Sequence, residues 1–84
     1  MFHPVKAPRH YAGDGEVSCM RALKSMVHRS DNDLNAITIY WWGCALKYLW
    51  RWPWKNGMQD IEKAMQCIEY MKEELDEDSQ NQTR

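Results

Sequence analysis

The 84-residue sequence contains no G-x-x-x-x-G-K-[ST], no G-x-G-x-x-G and no H-E-x-x-H. The first two build glycine-rich cradles for phosphates and the third a zinc site, so the common nucleotide and zinc motifs are excluded and any phosphate chemistry needs an unusual site. No C-x-x-C pair occurs, and Cys19, Cys44 and Cys67 are odd in number and widely spaced, so neither a disulfide framework nor a zinc knuckle is indicated. They read as buried thiols in a reducing compartment. No uninterrupted run of roughly 18 apolar residues is present, which excludes a membrane-spanning helix. The opening MFHPVKAPRH lacks the apolar core of a secretion signal. A cytosolic protein is therefore expected. Strand-like alternation of useful length and internal repeats are also missing, and the 84 residues are expected to form one domain rather than a two-domain enzyme.

What is present is 44% hydrophobic and 27% charged, a globular balance with a small core. Five tryptophans, Trp41, Trp42, Trp50, Trp52 and Trp54, fall in one short stretch. The formal charge of -1 is unevenly spread, with +4 over residues 1–57 and -5 over residues 58–84. The first part attracts an anion and the second repels one. A global basic footprint for duplex DNA is missing.

Periodicity predicts an all-α fold: a compact three-helix domain over residues 16–78, an extended N-terminal arm over 1–15 and a disordered tail over 79–84. Pro4, Pro8, Gly13 and Gly15 mark the arm, which carries His10 and Tyr11. Helix one is expected from Glu16, near its positive end, to about His28, with Val17, Met20, Leu23, Met26 and Val27 at helical spacing. The loop 29–35 offers Asp and Asn caps. Helix two, 36–52, carries the stripe Ile37, Tyr40, Trp41, Cys44, Ala45, Tyr48, Leu49 and Trp52, and a second apolar line of Ile39, Trp42, Leu46 and Trp50. A helix apolar nearly all round needs cover nearly all round, so a homo-oligomer is expected. Pro53 stops this helix. Asn56 and Gln59 resemble a capping box for helix three, whose expected apolar face is Ile61, Ala64, Met65, Ile68, Met71 and Leu75.

Lys47 and Arg51 lie one turn apart and share a face, so they can clamp one phosphate or carboxylate, with Lys55 just beyond. A solvated polar stripe is the alternative. Tyr48, Trp50 and Trp54 are close by, and flat rings beside cations suit a base next to its phosphates, although core packing also accounts for tryptophan. His10 is a candidate acid, base or hydrogen-bond donor to phosphate, or a structural hydrogen-bonding residue. Glu69 and Glu73 have i, i+4 carboxylate spacing but sit on a charged helix that reads as solvated, so no metal ligands are assigned.

The order His10-Tyr11, Glu16, Gly43-Cys44-Ala45-Leu46-Lys47-Tyr48-Leu49-Trp50-Arg51, Lys55-Asn56-Gly57, Asp60-Ile61-Glu62-Lys63-Ala64 and Tyr70 resembles a small phage-borne family. Its pattern is H-Y, G-N-A-I-K-Y-x-W-R, K-x-G and D-L-x-K-A-x-x-Y-L. The family is largely of unknown function and includes a phage nucleotide kinase that lacks a P-loop. The resemblance spans about His10 to Leu75. It implies a phage or prophage protein in the host cytoplasm that binds nucleotide phosphates through Tyr11, Lys47, Arg51, Lys55 and Lys63. His10 and Asp60 are then the catalytic candidates, and magnesium comes with the nucleotide. Cys44 stands where the family has Asn, and Trp52-Pro53-Trp54 replaces a small, Gly-containing stretch. Those rings support a second expectation, a non-enzymatic protein that inhibits a host defence such as CRISPR, or a replication complex, through Trp42, Trp50 and Trp54.

Overall fold

The computed structural model describes residues 9–28 and 33–82, and among these every regular element is helical. Three α-helices form, α1 (Cys19–Val27), α2 (Ala36–Arg51) and α3 (Met58–Gln82), with 3-10 turns at Arg9–Tyr11 and Trp52–Trp54. Residues 1–8 of the expected arm, 29–32 of the expected loop, and 83–84 lie outside the described residues.

His10 and Tyr11, expected on an extended arm, instead sit in the 3-10 turn. Glu16 does not open α1. Its N–H and that of Val17 donate to Asp14 Oδ1 at 2.8 and 3.2 Å, which holds this stretch in a turn. Ser18 is the N-cap, its Oγ accepting the Arg21 N–H at 3.2 Å. Asn35 caps α2 in the same way, accepting the Thr38 N–H at 2.8 Å.

Pro53 ends α2 as expected, and the chain turns back through Gly57, whose N–H reaches the Trp52 carbonyl at 2.9 Å. Gly57 has φ 56°, a left-handed position that a side chain would strain. The capping box proves different from its sequence reading. Asn56 donates through both its backbone N–H and its side chain to Asp60, so the residue reaching back is Asp60 and not Gln59.

α2 and α3 run antiparallel, tied at one end by Asn35 Nδ2 donating to Asp78 Oδ2 (2.6 Å) and at the other by Arg51 with Asp60. Ala45, Ala64 and Cys67 are buried, and these small side chains let the two helices approach closely. This contact shifts the buried faces from those expected. On α3 the buried line is Asp60, Ala64 and Cys67, and Met65, Ile68 and Leu75 are exposed. On α2 Thr38 and Ala45 are buried, and Ile37, Tyr40 and Leu49 are exposed, as is Trp52 in the 3-10 turn that follows. The expected tail also differs: α3 continues through residues 79–82, with Asp78 fastened to Asn35.

Trp42 is half-buried and Trp54 is 64% exposed. Trp50 finds part of its cover within the chain, against the turn at Gly13. Gly13 has φ 64°, and a Cβ there would come 2.9 Å from Trp50 Cζ2 and closer still to the Val17 carbonyl. Gly13→Ala therefore combines left-handed strain of about 1–2 kcal/mol with a backbone clash. It should lower the unfolding free energy by at least that amount in denaturant titration.

Candidate functional site

The cationic site grows from the C-terminal end of α2. Arg51 donates through Nε to Asp60 Oδ2 at 3.1 Å and through Nη2 to Asp60 Oδ1 at 3.2 Å, a bidentate pair. Asp60 is wholly buried and takes two more hydrogen bonds, from the Asn56 N–H to Oδ2 and from Asn56 Nδ2 to Oδ1, both at 3.2 Å. Burial alone would raise the Asp60 pKa, but the donors from Arg51 and Asn56 outweigh it and hold the carboxyl below its ordinary value. Burial likewise opposes the Arg51 charge, and the bonds to Asp60 and Tyr11 more than restore it, so its pKa rises.

Arg51 Nη1 donates to the Tyr11 hydroxyl at 2.7 Å, which draws the N-terminal turn onto α2. The His10 ring lies 4.3 Å from the Tyr11 ring. Burial lowers the His10 pKa from 6.5, and the positive charges of Lys55 and Arg51 push it the same way against the weaker pull of Asp60. His10 is therefore predominantly neutral at pH 7 and acquires a proton more readily once an anion offsets those cations.

Tyr48, one of the rings that the sequence places beside the cations, is the one on which they converge. Its ring centroid lies 5.3 Å from Lys47 Nζ, 4.9 Å from the Arg51 guanidinium carbon and 5.6 Å from Lys63 Nζ. Three cations from two helices thus gather around one ring, where cation–π attraction offsets part of their repulsion. Among the described residues Arg51 pairs with Asp60, while Lys47 and Lys63 have no carboxylate within ion-pair distance. The spacing of Tyr48, one residue after Lys47 and three before Arg51, was the available signal, but Lys63 joins only through the packing of α3.

Of the residues singled out from sequence, His10, Tyr11, Lys47, Arg51, Asp60 and Lys63 are thus brought together. Lys55 is exposed on the turn and acts on His10 through its charge. Asp60, expected to serve with His10 in catalysis, faces inward with each oxygen accepting two hydrogen bonds, so its action is to hold Arg51. Glu69 of the i, i+4 carboxylate pair instead meets Lys72 at 3.5 Å on an exposed face. Among the described residues, no group of three or more His, Cys, Asp or Glu is arranged to hold a metal ion. A groove lined by Val17, Arg21, Ala22, Ser25 and Met26 lies along α1 and includes none of the site residues. Among the described residues, no helix is long and apolar enough to cross a membrane.

A family model described as a protein of unknown function, DUF3310, matches residues 5–71, and the chain belongs to that family. No curated protein and no solved structure matches it.

The depressed Asp60 pKa sets the sign of an acid dependence. Its stabilising contribution is present above the ordinary carboxyl value of 3.8 and is lost as pH falls through the lower value in the folded state. Asp60→Asn should remove that contribution at neutral pH, lower Tm by several degrees and flatten the acid limb of a Tm-against-pH curve. An unchanged acid limb would show that the pair does not stabilise the fold.

Proposed function

We propose that this protein binds the phosphate groups of a nucleotide at the face formed by Lys47, Arg51 and Lys63, with His10, Tyr11 and Lys55 at its edge. The observation that carries this reading is the convergence of three cations on the Tyr48 ring. Arg51 is already aimed by Asp60, so little ordering remains to be lost on binding. Phosphoryl transfer depends mainly on positioning and charge neutralisation, and a cluster of this kind supplies both. Magnesium fits the reading as a companion of the phosphates, because the buried Asp60 carboxylate is occupied by its own donors. His10 is the remaining acid–base group, which favours a binding protein over a kinase. The family resemblance supports a phage or prophage origin and action in the host cytoplasm. The exposed Met58, Met65, Ile68 and Leu75 on α3 support self-association.

In a thermal-shift panel of nucleoside mono-, di- and triphosphates with magnesium, at least one compound should raise Tm. Lys47→Ala and Lys63→Ala should each weaken its binding about tenfold or more, the scale of a charge-assisted contact. Absence of any shift across the panel would overturn the reading.

The exposure of Trp54, 64%, and Trp52, 40%, favours a second reading, in which this end of the molecule binds and inhibits a host defence complex such as CRISPR, or a replication complex. Trp50, partly covered by the Gly13 turn, contributes less, and Trp42 is half-buried. A stoichiometric complex recovered from host lysate should be lost with Trp54→Ala. Recovery of the same complex with that variant would count against the tryptophan surface.

A further inference from the structure

The helix pair that gathers the cations also gathers a second set of side chains further along. The rings of Trp41 and Tyr70 lie 4.5 Å apart at 42°, joining α2 to α3, and the Tyr40 ring lies 4.8 Å from Trp41 at 77°. Tyr40 is 59% exposed and Tyr70 36% exposed, so this cluster presents aromatic surface to solvent although burial would be rewarded. Tyr40 and Lys47 are seven residues apart on α2, and so are Lys63 and Tyr70 on α3. Each interval is about two helical turns, roughly 10 Å of rise, and brings both ends onto nearly the same side of its helix. Because the helices are antiparallel, both intervals run in the same direction. Lys47 and Lys63 therefore lie at one end of the pair and Tyr40 and Tyr70 at the other.

We infer that the Tyr40, Trp41 and Tyr70 cluster is a stacking subsite for the base of a nucleotide whose phosphates lie at Lys47, Arg51 and Lys63. This rests on the nucleotide reading above and adds the ligand's orientation and class. Tyr48 is not the stacking platform, because its ring is engaged by cations, and Trp50 is partly covered by the Gly13 turn. A base joined through its sugar to a di- or triphosphate chain spans two helical turns, and a monophosphate does not. The site therefore takes nucleoside di- or triphosphates in preference to monophosphates. Stacking tolerates any base, so selectivity among bases is weak.

Titration calorimetry with the four ribonucleoside triphosphates, the matching monophosphates and inorganic tripolyphosphate, each with magnesium, tests this directly. The nucleoside triphosphates should bind more tightly than both the monophosphates and tripolyphosphate. Tyr40→Ala and Tyr70→Ala should each weaken nucleoside triphosphate binding about ten- to a hundredfold while leaving tripolyphosphate binding unchanged. Tyr40→Phe should bind as the wild type does, because stacking needs the ring and not the hydroxyl. Tripolyphosphate binding as tightly as the nucleoside triphosphates, or nucleotide affinity unaffected by both alanine variants, would overturn the subsite and leave the phosphate site standing. Failure of every nucleotide and of tripolyphosphate to bind would remove the nucleotide reading and the subsite with it. The comparison among ligands uses the wild-type protein, so it decides the matter even if an alanine variant fails to fold.

Discussion

The Arg51–Asp60 pair joins the last residue of α2 to the first turn of α3, and the geometry of the site descends from it. A carboxylate removed from water is costly unless its lone pairs are filled, and here Arg51 and Asn56 supply four donors. The charges also suit the helices they end: a cation at the carboxyl end of α2 and an anion at the amino end of α3 each oppose the local dipole. One interaction thereby closes the reversal through Gly57, sets the two helices antiparallel and fixes the guanidinium plane. The free edge of that plane then captures the Tyr11 hydroxyl and brings His10 within reach.

Charge is concentrated where this anchoring is strongest. Lys47, Arg51 and Lys63 share the Tyr48 ring, and only Arg51 has a carboxylate partner among the described residues. Cation–π attraction of about 0.5–1 kcal/mol at exposed sites compensates only partly for bringing like charges together. The low His10 pKa has burial as its first cause, and the charges of Lys55 and Arg51 add to it.

The thinness of the core follows from the same helix pair. Close approach is achieved with Ala45, Ala64 and Cys67, which leaves larger side chains on the outside. Met58, Met65, Ile68 and Leu75 line one side of α3 and Tyr40 with Ile37 another part of α2. For a domain this small, much apolar surface is left uncovered among the described residues.

Helical class, the stop at Pro53, an Asp or Asn cap before α2 and the cationic residues were all determined by the sequence alone, because each depends on neighbours within one or two turns. The local Lys47–Arg51 spacing was legible for that reason. What only the tertiary structure decided was which side of each helix is buried. Several apolar stripes compete on α2 and α3, and closest approach selects the small residues of one line, leaving Met65, Ile68 and Leu75 outside. The role of Asp60 was also hidden, since a carboxylate near a helix start reads equally as a dipole partner or a catalytic group until Arg51 and Asn56 are seen to fill it. Lys63 reaches Tyr48, and Tyr70 reaches Trp41, only through the antiparallel docking of α3. Periodicity within one helix carries no information about the register between two.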